Sequence, residues 1–446
     1  MSNNGNKTSP VRTLTVKNFS VIKEAKLEFG KITVLIGPQA SGKSLLCKLA
    51  YFLVGEVPGI AVESLLDQSS WDDFLQTVER EFKERFLTNG WIRTNTEAIY
   101  SSQQYSVAIR GAGDPVTPEI AFSFSEEFKS LYKLIRRNPA KQLPSANRSR
   151  NDLRRDLFAE ISLLQDRERT ESNTYIPSGR ELFTEASKSI VALQNPDMDQ
   201  ITRRFAGLIA WDSRWKAGSL TTGRGVIQAV EQAMYQIAGG FVVPASGKTL
   251  FLSSDGRSLP FSALSSGTLE LLPMFNVVDQ LACFQEDIYA RSATAKKSPI
   301  ADISDHTPLV YLEEPEAHIF PKTQYELARL FVWLANDPIL NFGWVITTHS
   351  PYILSAFGNL IKAGQIAQEG HSRSKSVEAV VPLQYWIKPD DFRAYALKPS
   401  KTAPEKFETE SIVDNETGQI DGDYLDNVSG KISDELGQLL EIQYGR

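Results

Sequence analysis

The chain has 446 residues, 41% hydrophobic and 23% charged, with a formal net charge of −6. That composition is ordinary for a globular protein with room for two or three domain-sized units, and the acid excess excludes the molecule as a whole, though not a local patch, as a polyanion binder. Two cysteines (Cys47, Cys283) are too few for a disulfide framework and suit a reducing cytoplasm. The four histidines (His306, His318, His349, His371) lack zinc-type spacing, no apolar run approaches the roughly 18–20 residues that span a bilayer, and the polar start, Met1 to Arg12, does not read as a signal peptide.

Residues 12–36 read as strands and turns. Leu14, Val16 and Phe19 keep an apolar rhythm, Val21 to Phe29 is a second extended stretch, and Lys31 to Ile36 is short, apolar and β-branched, as a buried parallel strand should be. Next comes Gly37-Pro38-Gln39-Ala40-Ser41-Gly42-Lys43-Ser44, then Leu45 and an apolar helix to Leu53. A strand, a Gly-rich loop and a helix in that order form the setting of a P-loop. Backbone amides and the helix N-terminus hold phosphate oxygens, Lys43 reaches the β- and γ-phosphates, and the Ser44 hydroxyl is a ligand for Mg²⁺. ATP and Mg²⁺ are the expected cofactors.

Residues 56–240 read as a helix-rich insertion, with helices over Trp71–Phe86, Phe124–Arg136 and Asn151–Arg167 and a Pro/Ser/Asn-rich turn at Pro139–Asn147. Lys133, Arg136, Arg137, Lys141, Arg148, Arg150, Arg154 and Arg155 face one acid, Asp152, between positions 133 and 155. This tract is either a nucleic-acid patch or a set of solvated basic helices. No sustained heptad appears. Thr174-Tyr175-Ile176-Pro177-Ser178-Gly179-Arg180-Glu181 is a strand and a turn. Arg180 is either a phosphate or subunit contact or the partner of an acid such as Glu181.

Leu264-Ser265-Ser266-Gly267 opens an apolar helix, Thr268 to Leu281. Ser265 reads either as its N-cap or, with Ser266 and the Gly267 N–H, as a binder of a γ-phosphate held by another subunit. Ala290 to Thr307 is a Ser/Ala/Lys-rich loop. Thr307 to Leu312 is an apolar strand ending in Glu313 and Glu314, the first suited to hold Mg²⁺, directly or through water, the second to polarise an attacking water as general base. A third apolar strand, Phe342 to Thr347, delivers His349, placed to bond the γ-phosphate or position the water. From about Ser374 the tail holds short strands and ends in an amphipathic helix within Tyr424–Tyr444.

In this order the four segments resemble the ABC ATPase superfamily, in its SMC and Rad-type branch: P-loop, signature, Walker B strand and switch histidine. Glu313-Glu314-Pro315-Glu316-Ala317-His318, Thr348-His349-Ser350-Pro351, the opening Leu14-Thr15-Val16-Lys17-Asn18-Phe19 and Tyr175 to Arg180 resemble the OLD-like ATPases. The resemblance implies an ATP-sandwich dimer in which one subunit's P-loop faces the other's Ser265-Ser266-Gly267. Glu313 stands where Asp is more usual. Gln103 and Gln104 are candidates, by position, for the Mg²⁺-sensing glutamine. The chain lacks long arms and shows no room for a TOPRIM nuclease, so it is similar to the ATPase subunits of PARIS-type anti-phage systems.

The expected fold is α/β, a P-loop NTPase of ABC type with a mixed sheet and a helical insertion. Its parts would be residues 1–55 (core with P-loop), 56–240 (helical lobe), 241–373 (core with signature, Walker B and switch His) and 374–446 (terminal strands and helix). Three functions compete. The first is a regulatory ATPase that dimerises around ATP and restrains a separate TOPRIM-type nuclease or toxin until a phage protein triggers it, its helical region moving relative to the P-loop core on closure. The second is a DNA-engaging repair ATPase. The third, a transporter subunit, is disfavoured because those heads are compact. No membrane partner is expected.

Overall fold

The computed structural model describes residues 12–86, 90–114, 116, 118–138, 141–144, 149–165, 173–186, 199–211, 225–245, 248–294, 307–414, 419–421, 434–439 and 441. The loop expected over 290–307 lies mostly outside them, as do Arg148, most of the 139–147 turn and much of the expected terminal helix, of which residues 434–439 are helical.

Fourteen strands are described: β1 (Thr13–Phe19), β2 (Ile22–Glu28), β3 (Ile32–Ile36), β4 (Glu97–Ser101), β5 (Ser106–Gly113), β6 (Pro118–Phe124), β7 (Asn173–Ile176), β8 (Gly240–Ala245), β9 (Lys248–Ser253), β10 (Ser258–Pro260), β11 (Leu309–Glu313), β12 (Gly343–Thr348), β13 (Phe392–Pro399) and β14 (Phe407–Ser411). Eleven join one sheet in the order β6-β5-β4-β1-β2-β14-β13-β3-β12-β11-β7, and β10-β9-β8 form a separate small sheet. β13, β3, β12, β11 and β7 are parallel, while β6 through β2 form an antiparallel meander. The parallel strands are apolar throughout because both faces are covered. Alternate residues go to opposite cores: Val34, Val310, Ile346 and Ala394 to one, Leu35, Tyr311, Val345 and Tyr395 to the other.

On the second of these faces lie α1 (Lys43–Tyr51), α2 (Val57–Leu66), α3 (Trp71–Phe86), α4 (Glu126–Arg136) and α5 (Arg150–Leu164). α6 (Glu181–Ala186), α7 (Gln200–Trp211), α8 (Val226–Ala238), α9 (Ser266–Thr294), α10 (Pro321–Asn336) and α11 (Pro351–Gln368) contribute to the other, with α12 (His371–Glu378) after them. A π-helical turn, Phe52–Glu56, joins α1 to α2. Residues 43–66 thus form one run that contains an 18-residue window with a mean hydropathy of 1.7, long and apolar enough by composition to cross a bilayer. That corrects the expectation that no segment approaches this length. Its apolar side chains are spent on the core, where Leu46, Leu49, Phe52, Leu53 and Val57 are fully buried.

Two stretches differ from their sequence reading. Residues 97–124, read within a helix-rich region, form β4–β6 and extend the sheet from the open edge of β1. In the tail, β13 is an interior strand, paired in parallel with β3 so that Ala396 lies opposite Ile36 just before the P-loop. Ala396 is fully buried, whereas its partner on β14, Glu410, is exposed. Ala396→Asp buries a charge and should cost more than about 3 kcal/mol, whereas Glu410→Ala should change stability by about 0.5 kcal/mol or less. Urea denaturation of both variants measures this, and equal shifts would remove β13 from the core.

Candidate functional site

Three loops leave the sheet at one level. Ile36 at the end of β3 pairs with Thr348 of β12, and Thr347 pairs with Glu313 at the end of β11. Parallel strands deliver their carboxyl ends to the same edge, so Gly37, Glu314 and His349 emerge side by side.

The P-loop takes backbone turns that side chains resist. Gly42 has φ +96°, and a Cβ there would come within 2.7 Å of Ile22 Cδ1. It caps α1 without a side chain, and no acid occupies the first turn. The opening amides of the helix are therefore presented to an anion. Ser41 is fully buried with an unpartnered Oγ. Lys43 is 4% exposed, and its Nζ donates to the carbonyls of Gly37 (2.9 Å) and Pro38 (2.8 Å). Burial pulls its pKa down to about 8, against the upward pull of Glu314, Glu316 and Glu313.

Glu313 is buried, and both its oxygens are held. Tyr175 donates its hydroxyl to Oε1 at 2.5 Å, and the Ser178 N–H and hydroxyl approach Oε2 at 3.2 and 3.4 Å. Glu314 sits at φ +41°, a costly conformation for a side-chain-bearing residue, with its N–H donating to Thr347 O at 2.8 Å. Its carboxylate lies 3.4 Å from His349 Nε2. That hydrogen bond leads the effects holding its pKa below the usual range, with Lys43 and Arg180 assisting against burial. The His349 N–H donates to Glu316 at 2.5 Å, and burial raises the Glu316 pKa. Ser350 then caps α11 by accepting from the N–H groups of Tyr352 and Ile353, with Pro351 in the first turn.

Hard oxygens from Ser44 and Glu313, beside a buried unpaired Ser41 hydroxyl and free helix amides, fit Mg²⁺ carried on phosphates. Tyr175, Ser178 and Glu316 were not singled out by sequence reasoning as partners of this site. The signal was the adjacency of β7 and β11, with Tyr175 opposite Tyr311.

The signature segment opens a helix and is exposed at its two serines, Ser265 and Ser266. That helix, α9, packs on α6, α7 and α8. Ser265 Oγ accepts the Thr268 N–H at 3.2 Å, as an N-cap does. A Cβ on Gly267 would meet His318 O at 2.6 Å, so only glycine lets α9 approach the segment after β11. Gln103 and Gln104 are not brought to the P-loop. They lie in the β4–β5 turn, where neighbouring Tyr105 bonds the Leu53 carbonyl, beyond the far end of α1. Arg180 is 1% exposed and pairs with Glu270 of α9 at 3.1 Å. Glu181, Glu270 and His318 bring ligand atoms within 4.8 Å of one another, but Glu270 is already committed to Arg180.

Much of the basic tract is neutralised. Arg150 pairs with Glu63 and Asp67 at 3.2 and 2.7 Å, Arg154 with Glu63 at 2.5 Å, Lys141 with Glu160 at 2.7 Å, and Arg155 with Asp152.

Residues 32–355, well over half of the chain, match the family described as "AAA domain, putative AbiEii toxin, Type IV TA system". The chain belongs to this family. The large mixed sheet, with a P-loop after β3 and acids after β11, is the α/β fold of a P-loop NTPase. Among solved structures, the chain is similar to an SMC head bound to the C-winged helix domain of ScpA (TM-score 0.42, 11% identity, 90% of this chain and 97% of that one). It is also similar to the SMC head domain from Thermotoga maritima (TM-score 0.39, 10% identity, 90% and 98% covered). A third is the ADP form of MJ1267, an ATP-binding cassette of an ABC transporter (TM-score 0.27, 10% identity, 78% and 85% covered). No curated protein matches the chain.

The Lys43 environment should make nucleotide affinity pH-dependent. Its pKa near 8 means the ammonium is charged below pH 7 and lost as the pH rises through 8. ATP affinity should therefore fall between about pH 7 and 9. Lys43→Arg, whose charge persists there, should flatten that fall, and Lys43→Ala should abolish binding at every pH. Fluorescent-nucleotide titration on folded protein measures all three, and wild-type affinity in the alanine variant would refute the role of Lys43.

Proposed function

We propose that the chain binds ATP and Mg²⁺ and hydrolyses the ATP in sites shared between two copies, and that its nucleotide state governs a separate effector in anti-phage defence. The observation that supports the shared site is the exposure just described. Lys43, Glu313, Glu314 and His349 converge on one edge, while Ser265 and Ser266 are exposed at the start of α9 and the Ser265 hydroxyl bonds Thr268 rather than any of those four residues. The serines are therefore open to a second copy.

In this reading the P-loop amides from Gly37 to Leu45 and the Lys43 ammonium bind the phosphates. Ser44 and Glu313 hold the Mg²⁺, which neutralises phosphate charge. Glu314, kept ionised by its neighbours, takes a proton from the attacking water. His349, 3.4 Å from it, orients that water or the γ-phosphate. The partner copy's Ser265, Ser266 and Gly267 close over the γ-phosphate. Lys43 must leave the Gly37 and Pro38 carbonyls to reach the phosphates, which are stronger acceptors for its protons.

The defence role is supported by the family's description, which names a "putative AbiEii toxin" and a "Type IV TA system". It is also supported by the resemblance of Glu313 to Glu316 and Tyr175 to Arg180 to OLD-like ATPases. A TOPRIM-type nuclease is the effector of choice and a phage protein the trigger. The DNA-repair reading is weakened by the acids paired with Lys141, Arg150, Arg154 and Arg155.

Glu314→Gln keeps the shape but removes the base, so it should bind ATP, slow turnover by at least about a hundredfold and accumulate a dimer in size-exclusion chromatography. Lys43→Ala and Ser265→Arg should each be inactive alone and regain up to about half the wild-type sites when mixed, since each supplies what the other lacks. A dead mixture in which mixed dimers are isolated would sink the shared site. Duplex-DNA binding with a steep salt dependence would favour the repair reading instead.

A further inference from the structure

The Arg180 side chain joins three parts of the molecule. Its Nη1 donates to Pro177 O (2.8 Å) and Glu313 O (2.6 Å), its Nη2 to Glu314 O (3.0 Å), and its Nε to Glu270 O (3.2 Å). The Glu270 carboxylate accepts the Arg180 and Glu181 N–H groups at 3.1 and 3.3 Å. Both side chains are buried to within 2%. Glu270 stands three residues beyond Gly267 on α9, just over one turn after the exposed serines. Gly267 in turn lies against His318, four residues past Glu314. Displacing Ser265 and Ser266 therefore displaces Glu270, and through the guanidinium the two carbonyls at the end of β11. One of these belongs to Glu314, whose backbone already sits at positive φ.

We propose that Arg180 and Glu270 form a strut coupling the two nucleotide sites of the dimer: the signature that closes on the partner's ATP is tied, in the same chain, to the residues that act on this chain's own ATP. The inference rests on the shared-site reading above. Arg180 is a positioning residue, not a catalytic one. Its planar fork reaches four carbonyls and a carboxylate at once, which a lysine's single ammonium on a flexible stem does not reproduce. Because the strut is internal to one chain, it carries information in both directions.

The test uses mixed dimers isolated by two tags. One subunit carries Lys43→Ala and contributes only its signature. The other carries Ser265→Arg and contributes only its P-loop, Glu313 and Glu314. Activity of this parental mixture checks the shared site, and its failure removes that reading and this inference together. Arg180→Lys is then added to the Lys43→Ala subunit, leaving every residue of the working P-loop and its Glu314 unaltered. Coupling predicts that kcat at saturating ATP falls by about fivefold or more. Glu270→Gln in the same subunit should do the same, and it carries the test if Arg180→Lys fails to fold. The inference is overturned if these changes leave kcat unchanged there but lower it in the Ser265→Arg subunit, or leave it unchanged in both. Arg180 would then merely prop its own Glu314, or do nothing for turnover.

Discussion

The site depends on the register of three parallel strands. β3, β12 and β11 end within one residue of each other, so the loops after Ile36, Thr348 and Glu313 start from one line. A slip of a single residue would turn alternate side chains to the other face and separate Lys43 from Glu314. What prevents the slip is burial on both sides. Each strand divides its residues between two cores, and a slip would exchange tightly packed sets such as Trp344 and Ile346 against Val345. The Trp344 indole also bonds Phe331 O at 3.1 Å, fixing β12 to α10. The chemistry is thus held in place by packing well away from it.

The same line of loops concentrates charge. Glu313, Glu314 and Glu316 surround Lys43, and burial would neutralise such a group unless each acid had donors. Each has. Tyr175 and Ser178 serve Glu313, His349 serves Glu314, and the His349 N–H serves Glu316. Arg180 adds a buried cation beside them whose own protons go to carbonyls and Glu270. A triphosphate entering this edge meets Glu313 already held on both oxygens and Glu314 held by His349, so the Lys43 ammonium and the α1 amides can turn to the phosphates.

Much of this was legible in the sequence. The three strand–loop junctions carried their own chemistry in consecutive residues, and their apolar runs matched buried parallel strands. Arg180 was singled out as a phosphate or subunit contact or as the ion-pair partner of an acid such as Glu181; the ion pair is present, but its acid is Glu270. That residue is 90 positions away and becomes a neighbour only because α6 and α9 pack together. β4–β6 were hidden for another reason. Their strands are short and polar on one face, and they were embedded among strong helical patterns over Trp71–Phe86 and Glu126–Arg136. β13 went unplaced because a strand's sequence says that it is buried, not beside which partner. The glutamine could not be located by position alone, and the turn after β7, next to β11, is occupied by Ser178 instead.

The packing also bears on which part moves. The expectation from sequence was that the helical region would shift against the P-loop core. Within that region, α2 through α5 share one continuous hydrophobic core with α1, containing Leu46, Phe52, Phe74 and Leu157. Glu56, in the π-helical turn after α1, pairs with buried Arg85 of α3 at 2.6 Å and with Arg204 of α7. Moving these helices relative to the P-loop would open that core and strand a buried carboxylate, at a cost of several kcal/mol. The signature side is tied as well: α9 buries Leu271, Met274, Phe275 and Val278 in the core on the sheet's other face, and the Arg180–Glu270 pair and the Gly267–His318 contact join its start to the end of β11. The P-loop and the helices on its face should therefore travel as one body, with any nucleotide-driven shift passing through these two contacts at the start of α9.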